Sequence, residues 1–215
     1  MKQKEIFLKT QGNAYLKRNK KKVQPDKLPK SDFLLVEILD LNLPSEGVKV
    51  LEIGCGNGTR LSSLKENCGF ECYGLDPSYE AVKLARNRGI IVHQGTADRL
   101  PFDDKSFDMI VFGFCLYLCD RVDLFRIACE SDRDLKNPGW MLILDFHSPQ
   151  PYKREYHHHL GLFTHKMDYR KLFMWNPSYT NYTHKVCHLS EGRYTDDPQE
   201  WIATSVLRKN IETDE

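Results

Sequence analysis

Apolar positions along the chain fall into two rhythms. Lys49–Ile53, Glu71–Leu75, Ile90–His93, Phe107–Gly113 and Trp140–Phe146 are short apolar runs that predict strands. The fourth follows the turn Asp103-Asp104-Lys105, and the fifth follows Pro138-Gly139. Between them, Thr59–Asn67, Tyr79–Arg88 and Asp123–Asp134 read as helices, the second with Ala81, Leu84 and Ala85 on one face. Ahead of this block we expect a helix near residues 4–20 and a loop carrying Pro25 and Pro29. Ser31 is the expected N-cap of a second helix, whose apolar face holds Phe33, Leu34, Val36, Ile38 and Leu39 and which ends at Pro44 to Gly47. After Phe146 the rhythm changes. A helix over Tyr169–Trp175 and strands over Tyr179–Leu189 and Trp201–Arg208 are expected, the strands separated by a polar loop with Gly192 and Pro198. Strands alternating with helices predict parallel βαβ units in a doubly wound α/β sheet, which binds ligands at the carboxyl ends of its strands.

The 215-residue length suits one domain, and the apolar content suffices for a core without structural metals or disulfides. The seven cysteines read as reduced thiols; Cys68/Cys72 and Cys115/Cys119 lack the second pair that a zinc finger needs. No apolar run approaches a membrane span and no secretory signal follows the basic start, so a cytoplasmic protein is expected. Charge is uneven. Residues 1–30 hold ten Lys/Arg against two acidic residues, and the remainder holds 21 against 28. The cluster Lys17, Arg18, Lys20, Lys21 and Lys22 is open to a nucleic acid or an anionic substrate, or is simply a solvated, partly mobile arm.

Candidate chemistry sits at the predicted strand ends. Gly54, Gly56 and Gly58 lie between a strand and a helix, where glycine permits positive φ and close approach of a ligand such as a nucleoside. The spacing G-x-G-x-G departs from the dinucleotide fingerprint G-x-G-x-x-G, with Thr59 where the third glycine should stand. Asp76 ends the second strand, where a carboxylate can accept both hydroxyls of a ribose. Asp98, in Gly95-Thr96-Ala97-Asp98, can accept from an adenine amino group.

The segments VLEIGCGNG (50–58), YGLDPS (73–78) and GTADRLPFDDKSFDMIV (95–111) together resemble class I S-adenosylmethionine-dependent methyltransferases, within them the small-molecule branch that includes quinone and sterol methylases. The resemblance covers roughly residues 48–146. It implies a Rossmann-like seven-stranded sheet of six parallel strands and one antiparallel, its last two strands a hairpin, with a small cap from the N-terminus and the segment after strand five. It implies S-adenosylmethionine as cofactor. Glu52, Gly54, Cys55, Gly56 and Gly58 would border its methionine part, Asp76 and Pro77 its ribose, and Ala97 and Asp98 its adenine. GNAYLKRN (12–19) resembles methylases associated with bacterial nonulosonic-acid (pseudaminic acid) and surface-polysaccharide pathways. Tyr15 and Arg18, three apart on one helix face, are expected to close over the cofactor, with Arg18 on its carboxylate. The organisation expected is one methyltransferase domain over 1–215: an arm or lid (1–30), the cofactor-binding core (31–146), an acceptor segment (147–166), and a C-terminal helix and hairpin (167–215).

Methyl transfer is displacement at a sulfonium carbon, so the protein must align the acceptor, exclude water and, for a hydroxyl, remove a proton. No metal is required. Phe114, Tyr117, His147 and Tyr152–His165 are the expected acceptor wall. His147, His157 and His158 are the candidate bases or orienting groups, with surface or packing roles as the alternative. The adjacent His157, His158 and His159 would point alternately on an extended segment and suit one ion poorly. The fourth strand ends in Phe112-Gly113-Phe114-Cys115. It lacks the Asn/Asp-Pro-Pro-Tyr/Phe, Pro-Cys and paired-glutamate patterns of base and arginine methylases, which favours a small-molecule acceptor, such as a sugar or surface-polysaccharide precursor, over nucleic acid. An RNA methyltransferase using the arm, a nonenzymatic scaffold and an NAD-dependent oxidoreductase are the other readings.

Overall fold

The computed structural model describes residues 2–19, 32–44, 46–190 and 192–210. Its sheet has seven strands in the order β3-β2-β1-β4-β5-β9-β8, with β1 Lys49–Ile53, β2 Glu71–Asp76, β3 Ile91–Gln94, β4 Phe107–Gly113, β5 Leu135–Phe146, β8 Tyr179–His188 and β9 Trp201–Lys209. β1 to β5 pair parallel; β9 runs antiparallel to both β5 and β8, so six strands share one direction and one opposes them. β1 pairs with both β2 and β4, which places the switch in strand order at the end of β1.

Successive residues of each strand point to opposite faces, and two cores result. Val50, Met109, Val111, Leu142 and Leu144 pack with Leu34 and Ile38 of α3 (Phe33–Asp40), Leu61 and Leu64 of α4 (Thr59–Cys68) and Val82 and Ala85 of α5 (Tyr79–Asn87). Leu51, Ile53, Ile110, Phe112, Met141 and Ile143 pack on the other face with Leu124, Ile127 and Ala128 of α6 (Leu124–Asp134). The expected helix at Tyr169–Trp175 is reduced to a 3-10 turn, Tyr169–Leu172, whose Tyr169 and Leu172 join this second core. No helix among the described residues is long and apolar enough to cross a membrane.

Two further features differ from the sequence reading at the ends of elements. Ser31 lies outside the described residues; the cap of α3 is Asp32, whose side chain accepts from Leu35 N at 2.8 Å. The segment after β5 is a hairpin, β6 Tyr152–Glu155 and β7 Phe163–Lys166. His157, His158 and His159 fall in its turn.

The N-terminal helical run is α1 Gln3–Ile6, a π-helical stretch Phe7–Gln11, and α2 Gly12–Arg18. It is docked rather than solvated. Gln3 is buried; its side-chain amide donates to Phe163 O (2.9 Å) and accepts from Phe163 N (2.8 Å), extending the hairpin edge. Phe7 packs with Tyr156 and Leu162 of the hairpin. A Cβ on Gly12 would stand 2.9 Å from Ser78 N, so the glycine is what lets α2 approach the start of α5. Beside it, Asn13 Oδ1 accepts from Ser78 Oγ (2.7 Å) and Glu80 N (3.1 Å).

Candidate functional site

The carboxyl ends of β1, β2 and β4 and the underside of the N-terminal run enclose a cleft of about 800 Å³ including its open mouth. Ile53, Gly54, Leu75, Asp76, Pro77, Gly95, Thr96, Ala97 and Asp98 form its floor and one side, Phe114, Cys115, Leu118 and Cys119 the other, and Lys4, Phe7, Gly12 and Tyr15 its roof.

The three glycines do different work. Gly54 lies at φ +77° in the cleft wall, and a Cβ there would stand 2.6 Å from Cys115 Cβ. Its N–H donates to Leu75 O at 2.7 Å, tying the turn to β2. Gly56 gives its N–H to Asp76 Oδ2 at 2.8 Å. Gly58, at φ +73°, begins α4, and a Cβ there would stand 2.9 Å from Ala85 Cβ, so it serves helix packing.

Asp76 is buried at the end of β2. Its Oδ2 accepts from Gly56 N and its Oδ1 from Ser78 N, each at 2.8 Å. A carboxylate offers about four lone-pair sites, so two remain, one on each oxygen. Burial pushes its pKa up to about 6 against these two backbone donors. Asp98 takes Thr96 Oγ1 at 2.7 Å and the Lys4 ammonium, which also reaches Asp123 at 2.9 Å. Burial opposes ionisation of Asp98, but Lys4 and Thr96 outweigh it and hold its pKa below the usual carboxylate range. Lys4 thus latches the roof to both sides of the cleft.

Phe114 adopts φ +53°, a strained backbone for a bulky residue. Its N–H donates to Leu144 O at 2.8 Å and its ring packs on Phe146, which holds it over the cleft. Behind it, Tyr117 O–H donates to Tyr15 Oη at 3.3 Å. Burial pushes both phenols above their ordinary pKa, so both stay protonated near neutrality. Asp145, not singled out by the sequence reading, accepts from Leu116 N (2.8 Å), Tyr117 N (3.3 Å) and Phe146 N (2.8 Å) and sets the turn that carries Tyr117. Burial pushes it up to about 7 despite these donors. A carboxylate one position before the end of β5 was the available signal.

Tyr15, Gly54, Asp76, Pro77, Ala97, Asp98 and Phe114 are therefore brought to one cleft. The other expected residues lie elsewhere. Glu52 is outside the cleft lining and pairs with Arg60 of α4, which in turn grips Asp32 through Nε (3.0 Å) and Nη2 (2.9 Å). Cys55 is buried over Gly74, where a Cβ would stand 2.6 Å from its Sγ. Arg18 donates to Tyr156 Oη (3.0 Å) and Gln11 Oε1 (3.3 Å) and is outside the cleft lining. His157 and His158 are exposed in the hairpin turn, their rings 3.8 Å apart. His147 is buried beside His184 and Trp201, also outside the lining. Of the basic cluster, Lys20, Lys21 and Lys22 lie outside the described residues. Lys4, Phe7, Leu118, Cys119, Asp120, Asp123 and Ile127 line the cleft without having been anticipated; their long-range approach leaves no local sequence pattern.

Residues 51–143 match the family model described as a methyltransferase domain. Over 108 residues the chain is 33% identical to a demethylmenaquinone methyltransferase of Tropheryma whipplei, a match covering 48% of this chain and 44% of that protein. Over 105 residues it is 36% identical to a fatty-acid O-methyltransferase of Mycolicibacterium smegmatis, covering 46% and 38%. The chain thus spans less than half the length of these curated relatives. Its fold is similar to that of 1,6-didemethyltoxoflavin-N1-methyltransferase from Burkholderia thailandensis, solved with 1,6-didemethyltoxoflavin and S-adenosylhomocysteine (TM-score 0.72, 15% identity, 98% of this chain and 91% of that one). It is also similar to a SAM-dependent methyltransferase from Methanosarcina mazei (TM-score 0.66, 18% identity, 86% and 100%).

Proposed function

We propose, from the match of residues 51–143 to a methyltransferase-domain family, that this protein is a class I methyltransferase that binds S-adenosylmethionine in the roofed cleft and transfers its methyl group to a small molecule. The observation that carries the reading is Asp76. It is a buried carboxylate at the end of β2, beside the glycine turn that follows β1, with two backbone donors already in place and two acceptor sites left for the two hydroxyls of a ribose. Gly54 would border the methionine part, and Ala97 and Asp98 the adenine. When bound, the sulfonium supplies the electrophilic methyl group.

The chain's own contribution is enclosure and alignment. Tyr15 and Phe114 face the cleft, with Tyr117 behind them, and as protonated phenols the two tyrosines orient an acceptor rather than deprotonate it. No histidine lines the cleft among the described residues, so proton removal by His147, His157 or His158 has no support from this arrangement. A sugar or surface-polysaccharide precursor is the narrower reading of the acceptor, supported by the Gly12–Asn19 resemblance alone. The RNA reading draws little from the visible part of the arm, where Lys4 is committed to Asp98 and Asp123 and Arg18 to Tyr156. Incubating the protein with methyl-labelled S-adenosylmethionine and extracts split into small-molecule and RNA fractions tests this. Label in a small molecule is expected; label in RNA alone overturns the reading.

The roof has its own test. Deleting residues 1–19 removes Lys4, Phe7 and Tyr15 together, and should lower turnover about 10²-fold or more through lost alignment and water exclusion. It should also weaken cofactor binding, with the circular dichroism of the sheet retained. Full affinity and turnover in the truncated protein would deny the run any part in the site.

A further inference from the structure

We propose that His147, His184 and Asp168 form a binding site for one divalent transition-metal ion of the Zn²⁺ type, separate from the cleft and independent of the function proposed above. The three residues come from distant parts of the chain: the residue after β5, the inner face of β8, and the segment after β7. One donor atom of each lies within 4.8 Å of the other two.

Three observations carry the site. His147 is 92% buried, and its Nδ1 has no hydrogen-bond partner. A polar atom so placed is costly unless something satisfies it. His184 faces it at a ring separation of 5.3 Å and is held through Nδ1 by Ser205 Oγ at 2.8 Å, its cross-strand neighbour on β9. That contact fixes the ring and leaves Nε2 as the nitrogen open to a ligand, the arrangement metal-bound imidazoles favour. Asp168 is buried, and Arg170 orients it. Its Oδ1 accepts from Arg170 Nε (3.0 Å) and N (3.2 Å), and its Oδ2 from Nη2 (2.8 Å). Of about four lone-pair sites on a carboxylate, one on Oδ2 remains.

Two imidazoles and one carboxylate are a donor set for zinc and its neighbours, not for calcium or magnesium, which take oxygen. Donors about 2.0–2.2 Å from a tetrahedral ion stand roughly 3.4 Å apart, so the three side chains meet it by small rotations. An ion here would pin the exit of β5 to β8. Phe146, the residue before His147, packs on Phe114 at 5.4 Å and Tyr117 at 4.9 Å, so occupancy would stiffen the wall behind the cleft.

The test is a Co²⁺ titration of the tag-free, chelator-treated full chain. About one equivalent should bind with visible ligand-field absorption and no near-ultraviolet thiolate band, since no cysteine belongs to the donor set. Zn²⁺ should displace the colour and raise the thermal midpoint of the wild-type protein. His184→Asn and His147→Ala should each lose the absorption and the thermal shift. His184 is half-buried, so its variant keeps the test valid should His147→Ala fail to fold. Replacing His157, His158 and His159 together by alanine should change nothing. Absence of the absorption at saturating Co²⁺ would overturn the site. So would absorption that survives in His184→Asn and vanishes in the triple variant.

Discussion

Replacing Asp76 with alanine should weaken S-adenosylmethionine binding by at least about tenfold. Hydrogen bonds to a charged acceptor are worth about 1.5–3 kcal/mol each, and a tenfold loss is about 1.4 kcal/mol, so losing both ribose contacts exceeds that threshold even where water recovers part. The same carboxylate anchors Gly56 and Ser78, so the glycine turn loosens as well. The interaction carries a pH signature. Burial holds the Asp76 pKa at about 6 in the free protein, while a ligand that donates two hydroxyls favours the charged form and lowers it. Affinity should therefore be full above about pH 6 and fall as the pH drops through that value. Glu52 and Asp145 titrate nearby, at about 7. Calorimetry across pH on wild type and Asp76→Asn isolates the contribution: the difference between the two should follow a single titration near 6. Equal affinity in a folded Asp76→Ala protein would remove Asp76 from the ribose.

Arg60→Met should destabilise the fold by about 3–5 kcal/mol above about pH 7, because it leaves a buried carboxylate, Glu52, and a partly buried one, Asp32, without their cation. Arg60 joins Glu52, 2% exposed, to Asp32, the cap of α3. Burial pushes Glu52 up to about 7 against the pull of Arg60. Burial also opposes ionisation of Asp32, but Arg60 and the Leu35 amide outweigh it and lower its pKa. The signs differ. Between the Glu52 value in an unfolded chain and about 7, the folded protein carries the extra proton, so that group's contribution declines as pH rises through the window. Asp32 contributes stability above its unfolded pKa, and that contribution goes with the arginine. Removing Arg60 raises the Glu52 pKa further, so the variant's deficit should grow as the pH rises above about 7, where wild-type Glu52 ionises, and shrink in acid as Asp32 becomes protonated. Denaturant melts of both proteins at several pH values measure it. A deficit that is small and independent of pH would mean the two carboxylates are not held by this guanidinium.

The centre of the sheet was legible because β1 and β4 are buried along nearly their whole length. Lys49–Ile53 and Phe107–Gly113 are bounded as their apolar runs predict, and the resemblance supplied the antiparallel β9. The hairpin β6–β7 was not legible. Tyr152–Glu155 is mostly exposed, so its residues carry no burial rhythm, and its stabilising contacts come from Phe7 and Gln3, more than a hundred residues away. The turn expected at Pro138-Gly139 lies within β5, which begins at Leu135 with an irregular pairing to β4. In the site, Asp76 and Asp98 could be placed from strand ends alone. Glu52 could have been assigned to the helix-packed face by parity with Val50, but motif membership suggested otherwise. Arg18 was nominated by its helical spacing from Tyr15 and His147 by its place after β5, and neither fixes the direction of a side chain leaving a helix or a strand. Lys4 could not be told from its basic neighbours, because only the docked position of α1 gives it two aspartates.

The central claim, that this cleft holds S-adenosylmethionine, is tested most directly by calorimetry of the intact chain with S-adenosylmethionine, S-adenosylhomocysteine and NAD. The glycine spacing, with Thr59 in place of the third glycine, and the two open acceptor sites of Asp76 predict saturable binding of the first two and none of the third. Tight NAD binding with no heat from S-adenosylmethionine would contradict the account.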